Sequence, residues 1–342
     1  RLHTPRQPMQ VYILKRCVQM IPVLLGVTFI VFFLLHLLPG NPAQLVLGPD
    51  ASAAQVEELE RELGLHQPLY IQYGRYLSRL LRVDLGESVR FDRPVGELIK
   101  EKIPSTLELT LASMIVIVII SFPIGISCAV KRDSLYDHVG MAAAIAGISI
   151  ANFWMGIMLI MLFAGILGVL PSGGRIGSSV EVHRITGLYL LDYALKGDFN
   201  GLLDSVKHLL LPALTLGLGF SAISVRIVRT SMLEVLGREY IVTARAKGLG
   251  EQTVIYLHGL KNALIPIITV LGLQLGILLG GVIVVETVFS WPGLGSLLII
   301  GIGARDYMLV QGTVLIFALA RLFINLLTDV SYALVDPRIK YH

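Results

Sequence analysis

Six stretches of this chain are long and apolar enough to cross about 30 Å of hydrocarbon, for which about 20 residues suffice. They lie near 11–38, 105–130, 138–165, 208–232, 263–289 and 308–334. Lipid offers no partner to an open N–H or C=O, so these stretches are forced into helices. The expected fold is an all-α polytopic membrane protein with six transmembrane helices. Pro123, Pro212 and Pro266 fall inside or at the ends of these spans, where kinks are tolerated. Charge is scarce for the same reason: 15% of the 342 residues are charged, against about 25% in a soluble domain. Mean hydropathy is +0.74.

Basic residues set the expected orientation. Lys15 and Arg16 precede the first span, Lys131 and Arg132 follow the second, and Arg338 and Lys340 lie in the tail. The loop after span four carries Arg226, Arg229, Arg238, Arg245, Lys247 and Lys261, whereas the loop 290–307 has only Arg305. Both termini and the loop 226–262 are therefore expected on the cytoplasmic side. Residues 1–8 are polar and aperiodic, and Met9 looks like a natural start, so this tail is set apart from the fold. The apolar run after Arg16 is too long for a cleavable signal, and no small-residue cleavage site follows it.

The chemistry of catalysis is missing. No G-x-x-x-x-G-K-[ST] phosphate loop occurs, so this chain is not expected to bind or hydrolyse ATP. No nucleophile stands with a base. The eight histidines lack metal-ligand spacing, and Cys17 and Cys128 read as small residues in or beside spans. The net charge of +4 does not call for nucleic acid. Spans three and five carry uncharged polar groups, Asn152 and Gln274, as candidates for a solute pathway. A proton- or sodium-driven transporter usually has ionisable or broken-helix sites inside the membrane. That rival class is disfavoured, while a passive helical subunit would show the same spans.

Two polar regions are organised. The stretch 39–104 opens with Leu38-Pro39-Gly40-Asn41-Pro42. It is expected to hold a helix from Ala53 to Leu63 ended by Gly64, another from Pro68 to about Arg82, and a third starting at Pro94. The other is Arg226–Pro266. It reads as helix up to Lys247, a stop at Gly248, and helix again from about Glu251 into the span at Ala263. On charge alone this is an ordinary basic loop. Between 290 and 307, Pro292-Gly293 is expected to open a short amphipathic helix, and Pro171-Ser172-Gly173-Gly174 marks a loop in 167–207.

The wording of the second region is more specific. Thr243-Ala244-Arg245-Ala246-Lys247-Gly248-Leu249, then His258-Gly259-Leu260-Lys261-Asn262-Ala263 and Pro266, resembles the coupling loop of ABC-importer permeases. It is most similar to the dipeptide, oligopeptide and nickel branch. Val242-Thr243-Ala244 stand where the family pattern has Glu-Ala-Ala, Gly248 keeps its place, and Lys261 stands where many relatives have proline. ELGLHQPLYIQYGRYL and DLGESVRFDRPVGELI resemble the external insert of the same branch, as do Ser290–Gly295 and Arg305-Asp306-Tyr307. The resemblance runs from Met9 nearly to the end.

It implies a type I ABC importer permease fold with 9–38 as the first span, 39–104 as a small helical external insert, and 105–342 as the permease core. It implies a bacterial or archaeal inner-membrane protein with a homologous permease partner, two ATP-binding subunits carrying ATP and Mg, an external binding protein and surrounding lipid. The loop expected to couple to the ATPases comprises Glu239, Tyr240, Thr243, Ala244, Arg245, Ala246, Lys247, Gly248 and Leu249. The solute would be a dipeptide or oligopeptide, with glutathione and nickel as alternatives within the family.

Arg321 stands outside that resemblance. It lies about thirteen residues into the sixth span, near mid-bilayer at about 1.5 Å per residue. Facing lipid there would cost at least about 2.5 kcal/mol. Either helix carbonyls, Asn325 and water satisfy it at a subunit interface, or it lines the pathway and attracts a carboxylate.

Overall fold

The computed structural model describes residues 9–37, 51–64, 66–178, 180–182 and 185–335. The tail 1–8, the segment beginning Leu38-Pro39-Gly40, and Arg338 with Lys340 lie outside the described residues. In chain order the elements are α1 (Met9–Leu37), α2 (Ala53–Leu63), α3 (Leu69–Leu81), the hairpin β1 (Glu87–Ser88) and β2 (Arg93–Pro94), and α4 (Val95–Val130). Then come α5 (Leu135–Ser149), α6 (Asn152–Leu159) with a π-helical turn at Ile160–Ile166, α7 (Tyr189–Lys196), α8 (Phe199–Leu236) and α9 (Glu239–Ala246). A π-helical segment, Thr253–Leu260, runs into α10 (Lys261–Val288), followed by α11 (Leu294–Gly303) and α12 (Tyr307–Val335).

Five helices are long and apolar enough to cross a membrane. A sixth span results if Leu135–Ser149 and Asn152–Ile166 count as one, although they are bent by 102°. The sequence suggested one span here, near 138–165, and gave no sign of the bend. The break comes at Ile150 and Ala151, both in extended backbone, after which α6 starts afresh at Asn152. Two further expectations change. The third insert helix is the first ten residues of α4, continuous with the second span. The short helix after Pro292-Gly293 is apolar on both faces rather than amphipathic: Leu297 and Leu298 are buried while Ile299, Ile300 and Ile302 are exposed.

The described residues form two compact units, with boundaries inside α4 and α12. One holds 105–292 and 323–335. Its core is built by α4, α8 and α10, through Leu109 and Ile117, Leu211 and Leu216, and Leu278, Val282 and Val285, closed by Phe289 and Trp291. On α4 the burial pattern shows helical geometry directly. Leu109, Ser113, Ile117 and Ser121 are buried, while Leu107, Leu111, Ile115 and Ile119 are exposed on the opposite face. Hydrophobic burial cannot drive helices together in lipid, so close backbone approach through small residues does. A Cβ on Gly217 of α8 would lie 2.3 Å from the Val116 side chain of α4, and one on Gly125 of α4 would lie 2.7 Å from Val228 of α8.

The other unit holds the described residues of 9–104 and 293–322. Ser52 and Gln55 form a reciprocal cap on α2, and Gly64 ends it at φ +70°. The rings of Phe29, Phe32 and His36 on α1 pack with Tyr73 and Tyr76 of α3. Val95, Leu98 and Ile99 meet Leu294, Leu297 and Leu309. Asp306, 1% exposed, accepts from Ser88 Oγ at 2.6 Å and the Arg90 amide, and caps α12 through the Leu309 amide. The hairpin is thus tied to the start of the last helix.

The glycine contacts give the first prediction. Gly217→Leu should lower stability by about 1–3 kcal/mol through overpacking, read as an earlier loss of the monodisperse peak after heating in detergent. Gly74→Ala, whose new methyl meets nothing within 4 Å, should be neutral or stabilising by about 0.5–1 kcal/mol.

Candidate functional site

The loop between α8 and α10 has more structure than its sequence pattern announces. The expected single helix to Lys247 is broken at Gly237-Arg238, where Arg238 adopts extended backbone (φ −77°, ψ 148°). Glycine at 237 is a poor helix former, and the chain there leaves α8 and begins α9. This eight-residue helix buries Ile241 and Ala244 against Val254 and Leu236. Its other residues, Glu239, Tyr240, Thr243, Arg245 and Ala246, are exposed, as are Lys247, Gly248 and Leu249. Val242 is 61% exposed and Tyr240 43%; two residues apart on a helix, they lie on opposite flanks of the buried Ile241 rather than on one face.

Gly248 takes φ +77°, and a Cβ there would meet nothing within 4 Å. Its constraint is conformational rather than steric: an L-residue pays for the left-handed turn, yet space is available. The Gly248 amide donates to the Arg245 carbonyl and the Leu249 amide to Ala244. Arg245 then bridges the turn to Glu251, with Nη2 at 2.6 Å and Nε at 3.2 Å. The hydrogen bond from Arg245 holds the exposed Glu251 carboxyl below the usual glutamate range. Beyond the turn, Gly259 packs on Leu236 and Met232 of α8. The result is a short helix seated on the ends of two long ones.

The polar residues singled out within the spans each have their own surroundings. Gln274 is 2% exposed; its Oε1 accepts from Ser224 at 2.6 Å and its Nε2 donates to the Phe220 carbonyl. It fastens α10 to α8. Half-buried Asn152 lies against Gly219 of α8, where a Cβ would stand 2.3 Å from its Oδ1. Asn325 lies against Gly276 of α10. Arg321 is exposed on α12.

Sequence reasoning missed the buried ion pairs. Arg175, in the loop before α7, sends Nε and Nη2 to Glu108 Oε2 of α4 at 3.0 and 2.6 Å, with both side chains 6% exposed. The guanidinium lies 3.7 Å from the Tyr189 ring centroid, and Glu108 Oε1 accepts from the Leu190 amide. Near the other end of α8, Arg229 clamps Asp137 of α5 through two bonds. Asp192 of α7 is fully buried and receives the amides of Ile185, Thr186 and Gly187 together with Thr186 Oγ1. Burial pushes its carboxyl up, but these donors outweigh burial and hold it below the usual range. Partners 67 and 92 residues apart leave no local signal; an acid such as Glu108 inside an apolar span was the one available hint. Among the described residues no group of histidine, cysteine and acids is arranged to hold a metal.

Comparison with known proteins agrees with the loop wording. The family described as binding-protein-dependent transport system inner membrane component matches residues 121–341, and its N-terminal counterpart matches 9–110. The chain is 45% identical to the dipeptide transport system permease protein DppB of Alkalihalophilus pseudofirmus, over 97% of this chain and 100% of the relative. It is 42% identical to DppB of Escherichia coli, over 96% and 98%. It is 43% identical to the glutathione transport system permease protein GsiC of Salmonella paratyphi A, over 96% and 99%. A solved structure of the MetNI methionine ABC transporter in inward facing conformations aligns with a TM-score of 0.53 and 20% identity, over 70% of this chain and 96% of that one. At that identity it supports the fold alone.

Two predictions follow from the charges. Glu108→Gln strands the buried Arg175 and should cost about 3–5 kcal/mol, measured by thermal unfolding; Glu57→Gln, which breaks the exposed pair with Arg61, should change little. The Arg245–Glu251 tie contributes above the ordinary glutamate pKa of about 4.3 and is lost as pH falls through the lowered folded value. Amide exchange across 246–250, corrected for intrinsic rate, should therefore stay flat from neutral pH into the ordinary glutamate range and rise only below it. In Glu251→Gln it should be raised throughout.

Proposed function

We propose, since this chain belongs to the family of binding-protein-dependent transport system inner membrane components, that it imports dipeptides as one permease subunit of an ATP-driven transporter. The chain is a multi-pass ABC importer permease subunit of all-α fold. The finer reading is ours: a second, homologous permease completes the pathway, two ATP-binding subunits with ATP and Mg sit against α9, and a binding protein delivers solute from outside. Both termini and α9 face the cytoplasm. The observation that carries the peptide assignment is identity over essentially the whole chain to permeases named for dipeptide transport. The glutathione permease, itself named for a peptide-like solute, keeps that solute as the second reading.

The mechanism is alternating access. ATP closes the ATPase pair, α9 moves with the cleft that holds it, and α8 and α10 carry that motion into the bundle. Packed helices switch between discrete arrangements rather than bending gradually, so a small displacement at the loop can be amplified. The exposed Val242 and its neighbour Arg245, with Lys247 and with Tyr240 on the other flank of α9, supply the docking face. Glu239, Thr243, Ala244, Ala246, Gly248 and Leu249 shape and seat it. Asn152, Gln274, Arg321 and Asn325 belong to the helices around the pathway, with the exposed Arg321 assigned to a peptide carboxylate.

Reconstitution with the partner subunits tests this. Uptake of labelled dialanine should require ATP, the ATPases and the binding protein, and should survive collapse of proton and sodium gradients; gradient-dependent, ATP-independent uptake would identify a secondary transporter. Arg321→Met should weaken uptake of free dipeptides more than of C-terminally amidated ones, and equal effects on both would remove the carboxylate role.

A further inference from the structure

We infer that the Asp137–Arg229 pair is a positioning strut that makes α5 travel with α8, so that displacement of the α9 loop reaches the bent helix pair. This inference rests on the importer reading above. The observation is geometric. Arg229 Nε and Nη2 reach Asp137 Oδ1 and Oδ2 at 2.5 and 2.6 Å, a two-pronged contact that fixes orientation as well as distance. The Asp137 side chain is 4% exposed and that of Arg229 22%. Asp137 is held from its own side too. Its Oδ2 accepts from the Asp133 amide, in a turn where Asp133 stands at φ +58°, and Ser134 caps the helix by accepting from the Asp137 amide.

Arg229 lies between this turn and the loop. Met232, one turn further along α8, is fully buried and touches Gly259; Leu236, one turn beyond that, packs on Ile241, Ala244 and Gly259. In the other direction α5 follows α8 through the Ala144–Ala222–Val225 cluster and Gly147 against Ala222. Past the 102° bend the contact continues, Asn152 meeting Gly219 and Gly156 meeting Thr215 of α8. These last contacts are small, non-directional side chains that permit sliding. The ion pair is the directional one, and it sits at the end of α5 nearest the loop. Without it, α8 can move with α9 while the start of α5 stays behind.

Removing one partner would also strand a charge, so the informative variant removes both. Asp137→Leu/Arg229→Met replaces the pair with apolar groups, a change that commonly leaves folding neutral or improved. The reconstituted complex should assemble as wild type, yet dialanine uptake per ATP hydrolysed should fall about tenfold, inside the usual range of a coupling free energy. Asp137→Glu, which keeps the charge and can re-form the contact, should recover most of that loss. Uptake per ATP at the wild-type level in the double variant would overturn the strut. Where the double variant fails to assemble, uptake per ATP that is normal in Asp137→Ala or Arg229→Met complexes that do form would overturn it equally. Absence of ATP-dependent uptake in the wild-type complex would instead overturn the importer reading, and the strut with it.

Discussion

A peptide group in hydrocarbon can bond only to its own helix or to a neighbour, and everything in this chain is arranged around that restriction. Long helices are the first consequence. The second is that polar backbone outside helices must be sheltered or bonded, and the structure shows how. Where the chain leaves α10, the Trp291 amide bonds to the Glu286 carbonyl and its indole donates to the Ser105 carbonyl. At the loop before α7, the Gly174 amide bonds to the Phe289 carbonyl, and Gly173 sits so near that carbonyl that a Cβ would lie 2.4 Å away. Buried charge follows the same economy. Glu108, Asp137 and Asp192 each receive at least three donated hydrogen bonds, so none is left bare.

The same restriction bears on how a permease of this family can pass motion between its helices. A helix that cannot bend without breaking its bonds behaves as a lever. Close contacts at Gly125 and Gly217 bind α4 to α8, and the amide of Gln274 binds α8 to α10. In the coupling proposed above, a displacement of α9 would be shared by three long helices at once. The left-handed turn at Gly248 and the Arg245–Glu251 tie hold the end of α9 in place; in the coupling proposed above, that fixity passes motion on.

Helix existence was legible in the sequence because apolar length is a local property. So were Gly248, since a helix stop beside a second helical run calls for a left-handed residue, and α2, whose end Gly64 marks. What sequence could not show was where helices bend or join. Ser149-Ile150-Ala151 contains no proline or glycine, so the 102° turn there has no local marker. Val95–Val130 reads as two elements because composition changes at Ser105, while the backbone continues. Gly237 was visible, but one glycine in a helical pattern is commonly tolerated, so the elbow stayed hidden. Arg229 read as one of the loop's basic residues, and Asp137 drew no reading at all. Their partnership exists only in three dimensions.

The central claim is that the exposed face of α9 is where the ATP-binding partners engage, and accessibility at Val242 tests it most directly. In a Cys17→Ser, Val242→Cys variant, a membrane-impermeant maleimide should label residue 242 rapidly in the permease pair alone. After assembly with the ATPases, labelling should slow by an order of magnitude or more, while a cysteine placed at the exposed Tyr70 of α3 should label at an unchanged rate. Equal labelling of residue 242 with and without the ATPases would contradict the account.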